Sequence, residues 1–236
     1  MKIKLFTIPN ILTLSNLLCG SLAVIAIISR SDYKAAFMLI ILAALFDFFD
    51  GFAARLLKQC SPMGGELDSL ADMVSFGLAP ALVMMSLIRD GGWCCELPLL
   101  AKYGVFIPLI IVAFSALRLA KFNIDEEQSC VFIGLPTPAC ALMCISLGLM
   151  HLDGVVLGGE LVALISVVLA LLLISPIKMF ALKFKGFGWC GNELRYGFIA
   201  VSVVLLCLLK FNALPLIVAI YIALSTLIHL LCKKKA

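Results

Sequence analysis

The sequence predicts an all-α, polytopic integral membrane protein with about eight transmembrane helices and both termini in the cytoplasm. Three observations predict it. Of the 236 residues, 64% are hydrophobic and 14% charged, whereas a soluble domain is about half apolar and about a quarter charged. The apolar residues gather into runs close to the ~20 residues needed to cross a ~30 Å hydrocarbon core. The connections are short, and their basic residues fall mostly on one side.

The candidate spans, in order, are 9–29, 35–55, 67–88, 99–121, 135–152, 156–175, 194–210 and 212–232. The first follows a basic start, as a secretory signal would. No small-x-small cleavage site follows, and Leu18 stands where a lipoprotein signal before Cys19 would carry a small residue. It is therefore read as a span. The second enters near Lys34 and ends at Asp47 and Asp50; the third begins at Asp68 and Asp72 after a short connection. The fourth ends at Arg118 and Lys121. "GLPTP" at 134–138 opens the fifth, where proline suits a helix start. The fifth and seventh are short, and the boundary around 175–193 is soft. Segment 176–193, basic and aromatic, reads equally as an interfacial stretch or as an ordinary basic loop. No Ser/Gly linker, charge block or internal repeat divides the chain, so residues 1–236 are read as one domain.

With both termini inside, thirteen of the eighteen Lys and Arg lie on the cytoplasmic side, among them Lys2, Lys4, Arg55, Lys58, Lys183, Lys185, Lys234 and Lys235. Short-loop basic residues stay in the cytoplasm. The net charge of +4 then describes a rim for anionic lipid headgroups, not a nucleic-acid surface. The ten cysteines include no C-x-x-C, and His151 and His229 stand alone. That pattern argues against zinc and for free thiols, Cys94 and Cys95 included.

Four acids in so apolar a chain need an explanation. From Lys34, Asp47 and Asp50 lie about 20–24 Å along the second span at 1.5 Å per residue, in its cytoplasmic third. The short connection makes the second and third spans antiparallel neighbours, so all four carboxylates come to similar depth. Asp47, Asp50, Gly51 and Ala54 follow the i, i+3, i+4, i+7 spacing of one helical face, and Asp68 and Asp72 follow i, i+4. A crevice with two carboxylates on each wall results. An aspartate near mid-bilayer costs about 2.5–3.5 kcal/mol, and four together repel one another. Arg55 supplies one positive charge; two divalent cations would supply four. Oxygen donors alone suit Mg²⁺ or Mn²⁺, and a two-metal clamp suits phosphoryl chemistry. Gly51, Ala54, Gly64 and Gly65 beside the acids would let a bulky substrate approach the backbone, or would let helices pack closely.

The pattern Asp47-x-x-Asp50-Gly51-x-x-Ala54-Arg55, eight residues, then Gly64-x-x-x-Asp68-x-x-x-Asp72 resembles the CDP-alcohol phosphotransferase signature at every fixed position. The flanks "TIPNILTLSNLLCG" (7–20), "LDSLADMVSFGLAPA" (67–81), "RLAKFN" (118–123) and "FIGLPTPA" (132–139) look like the phosphatidylserine synthase branch, although Lys121 stands where arginine is expected. The resemblance covers the first 140 residues or so. It implies transfer of the phosphatidyl group of CDP-diacylglycerol to the hydroxyl of L-serine, with release of CMP. It also implies Asp47, Asp50, Asp68 and Asp72 at two Mg²⁺ or Mn²⁺ ions, with Asp72 as base. Asp50, Gly51, Ala54, Arg55, Gly64 and Asp68 would then bind the nucleotide, in a homodimer of the cell membrane whose site faces the cytoplasm. Arg118 and Lys121 would meet phosphate or the serine carboxylate, or would simply anchor a cytoplasmic helix end. Asn10 and Asn16 are weaker polar candidates.

Two rivals remain at this level. A sister transferase would use glycerol 3-phosphate or inositol, and the shared signature does not separate these acceptors from serine. A cation transporter would place its acids near the midplane on broken helices of related halves; here they cluster beside one short loop.

Overall fold

Each of the first three helices begins where a small polar side chain can satisfy its free N–H groups. Thr7 caps α1 (Ile8–Arg30), Asp32 caps α2 (Tyr33–Leu56) and Ser61 caps α3 (Pro62–Asp72), accepting from Asn10, Ala35 and Gly64 respectively. In this computed structural model, residues 5–93, 98–124, 132–179 and 192–233 are described. The remaining helices among them are α4 (Ala79–Gly91), α5 (Pro98–Tyr103), α6 (Leu109–Ile124), α7 (Thr137–Leu152), α8 (Gly159–Ile174), α9 (Glu193–Leu209) and α10 (Ala213–Lys233).

Among the described residues, five stretches are long and apolar enough to cross a membrane: Ile8–Arg30, Tyr33–Leu56, Pro62–Gly91, Gly104–Ile124 and Glu193–Leu231. The last holds both α9 and α10, joined through a 3₁₀ turn at Lys210–Asn212. The helices α7 and α8 are apolar but only 16 residues each, about 24 Å at 1.5 Å per residue. The chain is a nearly all-helical, multi-pass membrane protein.

Two predicted spans take a different form. The third starts at Pro62 rather than 67, because Ser61 and Pro62 form an N-terminus ahead of the apolar run. It then passes through a π-helical turn, Met73–Leu78, before continuing as α4. The fourth is not one helix. A 3₁₀ turn at Gly104–Phe106 and Pro108, which has no N–H to donate, separate α5 from α6. Gly104 is where Trp93 packs: a Cβ there would lie 2.1 Å from the indole ring.

The core lies where α1, α2, α4, α7 and α8 meet, with Ala36, Phe76, Val83, Met84, Ile145 and Val162 fully buried. By contrast, no residue of α9 is buried. Lys2, Lys4, Cys94, Cys95, Lys183, Lys185, Lys234 and Lys235 lie outside the described residues, as does most of 176–193. Cys19, Cys60, Cys140, Cys144 and Cys207 are free thiols.

Both ends of this core are tied by polar contacts. At one end Tyr33 Oη donates to Asp90 Oδ2 at 3.1 Å and lies 2.9 Å from Ser86 Oγ, from which it can accept, and Asp90 lies 3.7 Å from His151 Nε2. His151 therefore does not stand alone; it joins α7 to α2 and α4. At the other end Phe132–Ile133 pairs antiparallel with Lys178–Met179. Gly134 and Leu135 donate to the carbonyls of Ile177 and Leu172, so the "GLPTP" stretch docks on the end of α8. Gly134 needs to be glycine, having φ +77° and a Cβ position 2.4 Å from the Leu173 carbonyl oxygen.

Gly20 allows the closest approach of α1 to the π turn, since a Cβ there would lie 2.7 Å from Ser75 Cα. Gly20→Val is therefore expected to destabilise the fold by about 1–3 kcal/mol, as overpacking does, and to lower the unfolding midpoint in detergent. Gly65→Ala, where an added Cβ meets nothing within 4 Å, should cause no such loss.

Candidate metal and substrate site

The site is built at one turn of the chain. Asp47 and Asp50 occupy the last turns of α2, and Asp68 and Asp72 the second and third turns of α3. Only residues 57–61 separate the two helices, with Lys58 in the left-handed region at φ +51°. So short a connection folds α3 back along α2 and brings the acids of both into one crevice.

Asp47, Asp50 and Asp68 each offer a carboxylate oxygen within 4.8 Å of the others. Asp47 and Asp68 come within hydrogen-bonding reach of each other. One oxygen of Asp68 is buried with no hydrogen-bond partner. Among the described residues, no basic side chain makes an ion pair with any of the four aspartates. Converging carboxylates, an unpartnered oxygen and the absence of a basic partner together fit a cation. The all-oxygen donor set suits Mg²⁺ or Mn²⁺. Asp72 is buried next to this trio without belonging to it at that spacing.

The first helix contributes what the motif did not reveal. Thr13 Oγ1 donates to Asp50 Oδ2 at 2.6 Å, and Asn16 Nδ2 donates to Asp72 Oδ1 at 3.1 Å. Sequence reasoning does not single out Thr13, and it ranks Asn16 only as a weaker candidate. The available signal is the i, i+3, i+6 spacing of Asn10, Thr13 and Asn16, a polar stripe on an apolar helix.

A cavity of about 300 Å³ opens beside the carboxylates. Asp50, Gly51, Ala54, Arg55, Gly64 and Asp68 line it, as do Asn10 and Thr13. Every residue expected to hold a nucleotide is thus at this cavity. A Cβ on Gly64 would meet Ser61 Oγ at 3.3 Å and Asn10 Oδ1 at 3.5 Å, so a larger residue there would take up cavity space. Neither Arg118 nor Lys121 lines it. The Arg118 guanidinium donates to Thr137 Oγ1 at 3.3 Å, keeps a buried Nε without a partner, and interacts electrostatically with Asp72. Lys121 is exposed.

The chain is similar to the CDP-diacylglycerol–serine O-phosphatidyltransferase of Bacillus subtilis, 39% identical over 139 residues, or 58% of this chain and 72% of that protein. It is 34% identical over 175 residues to the Methanocaldococcus jannaschii protein of the same name, covering 74% of each. A third so named, from Helicobacter pylori strain J99, is 33% identical over 143 residues, 60% of this chain and 56% of that protein. The family model described as CDP-alcohol phosphatidyltransferase matches residues 6–181. This match runs through α1, α2 and α3, the three helices that supply the carboxylates and their hydrogen-bond donors, and the chain belongs to the CDP-alcohol phosphatidyltransferase family.

Proposed function

We propose that this protein makes phosphatidylserine, transferring the phosphatidyl group of CDP-diacylglycerol to the hydroxyl of L-serine. The observation that carries the reading is the convergence of Asp47, Asp50 and Asp68 within 4.8 Å beside a cavity of about 300 Å³. The names of the relatives support serine as the acceptor.

In this reading Asp47, Asp50 and Asp68 hold two divalent ions, Mg²⁺ or Mn²⁺, with Asp72 completing the set. Such ions, when bound, offset charge on the phosphate, attacking and leaving oxygens. The chain's own residues do the rest. Gly51, Ala54 and Gly64 leave room for the cytidine and pyrophosphate to approach the helix backbones, and Arg55 meets phosphate at the rim. Arg118 meets the serine carboxylate or a phosphate oxygen with donors it does not spend on Thr137, and Lys121 adds charge nearby. Asp72 accepts the proton of the serine hydroxyl as that oxygen bonds to the phosphorus attached to diacylglycerol. The bond from that phosphorus to the CMP oxygen breaks, and CMP leaves.

The same reading treats residues 1–236 as one domain with about eight spans and both termini in the cytoplasm, supported by the distribution of Lys and Arg. The site then faces the cytoplasm from the cell membrane, where serine and released CMP are soluble. Homodimerisation is carried by the family resemblance.

Membranes containing the protein, supplied with CDP-diacylglycerol and Mg²⁺ or Mn²⁺, are expected to release CMP when serine is added, but not with inositol or glycerol 3-phosphate. Release with another acceptor would overturn the serine assignment, and release with none would overturn transfer itself. Excess EDTA should abolish the reaction, and re-added divalent ion should restore it. Asp72→Asn is expected to lower kcat by about 10²–10⁴-fold, the usual contribution of a positioned base, with a smaller change in KM. Gly64→Val should act the other way, raising KM for CDP-diacylglycerol by filling the cavity; an unchanged KM would remove Gly64 from the substrate site.

A further inference from the structure

We propose that α1 is the positioning element of the carboxylate site, with Thr13 orienting Asp50 and Asn16 orienting Asp72. The inference rests on the reading of those aspartates as metal ligands and base. Its support lies in side chains of α1, outside the acidic motif at 47–72.

Both α1 residues are buried, Thr13 at 3% exposure and Asn16 at 0%, so water does not compete for their hydrogen bonds. Thr13 Oγ1 lies 2.6 Å from Asp50 Oδ2 and 3.1 Å from the Pro9 carbonyl oxygen. A hydroxyl carries one proton. The shorter contact falls in the range of charge-assisted O–H···O⁻ bonds, so the proton goes to Asp50. That bond fixes the carboxylate through Oδ2, and an ionised carboxylate keeps further lone pairs with which to ligate.

Asn16 is held in turn. Its amide donates to Asp72 at 3.1 Å, while Ser75 Oγ donates to the Asn16 backbone carbonyl at 3.1 Å. Gly20 makes room for Ser75, since a Cβ there would lie 2.2 Å from Ser75 Oγ. The seam between α1 and the π turn thus fixes the register of Asn16 against Asp72. Thr13 and Asn16, three residues apart, share one face of α1 and reach one carboxylate on each wall of the crevice. Interhelical hydrogen bonds of this kind also serve as general polar glue in membranes. The bonds differ from glue in where they end, one on a proposed metal ligand and the other on the proposed base, which also completes the metal set.

The difference gives the two residues separable effects. Removing the donor to Asp50 should act mainly on metal binding, and removing the donor to Asp72, the base as well as the fourth ligand, should slow turnover even when metal is saturating. Partners behind a metal ligand typically contribute about 10–100-fold to affinity or activity. The test uses the full chain in detergent, with Mn²⁺ binding followed by electron paramagnetic resonance and CMP release measured in parallel. Thr13→Val, close in shape, is expected to raise the Mn²⁺ Kd about 10-fold or more, and Thr13→Ser, which keeps the hydroxyl, to restore most of the loss. Asn16→Leu should raise the Mn²⁺ Kd less than Thr13→Val does and leave the KM for CDP-diacylglycerol near wild type, while kcat at saturating Mn²⁺ falls about 10-fold. Thr13→Ala and Asn16→Ala make the same deletions should either first choice fail to fold. Unchanged Mn²⁺ affinity in a folded Thr13 variant, failure of Thr13→Ser to rescue, or wild-type kcat in a folded Asn16 variant would each overturn the proposal. A wild-type protein that binds Mn²⁺ but releases no CMP would instead overturn the transferase reading, with the Thr13 arm still decided by its Mn²⁺ affinity.

Discussion

Like charges that converge inside a membrane must be compensated, and that requirement shapes one whole end of this protein. Asp47, Asp50 and Asp68 meet within 4.8 Å with Asp72 buried alongside, and no described basic residue pairs with them. Carboxylates placed this way cost several kcal/mol each unless something offsets them. Two kinds of compensation are available here. Neutral donors on α1 reach Asp50 and Asp72, and the remaining oxygens are left for cations.

The rest of the fold can be understood as the frame that keeps this arrangement tight. The turn at residues 57–61 makes α2 and α3 neighbours. The Gly20–Ser75 approach brings α1 against the π turn directly after Asp72. A π turn adds a residue to the helical repeat, so it rotates the faces of α3 relative to those of α4, and such turns recur at functional sites. At the far end, Tyr33, Ser86, Asp90 and His151 join α2, α4 and α7. Polar contacts therefore close the bundle at both ends, while small and aliphatic side chains fill the middle.

The division of labour around the cavity reflects residue size and charge. Its walls carry Gly51, Ala54 and Gly64, which leave space, and its rim carries Arg55, which supplies charge. Arg118 stands apart, tied to Thr137 yet electrostatically coupled to Asp72.

The apolar runs, the acids at their ends and the spacing of those acids were legible in the chain, because helical periodicity and the membrane's thickness act on local sequence. Membrane helicity and the neighbouring acidic walls came from those features, and the residues of the signature that line the cavity came from the family resemblance. What only the tertiary structure decided were contacts between distant positions. Thr13 meets Asp50 across 37 residues and Asn16 meets Asp72 across 56, and no periodicity within one helix encodes such a pairing. The π turn, the break at Pro108 and the joining of His151 to Asp90 belong to the same class. Each depends on which faces of separate helices come together, and that is set by packing the whole bundle at once rather than by any one stretch of it.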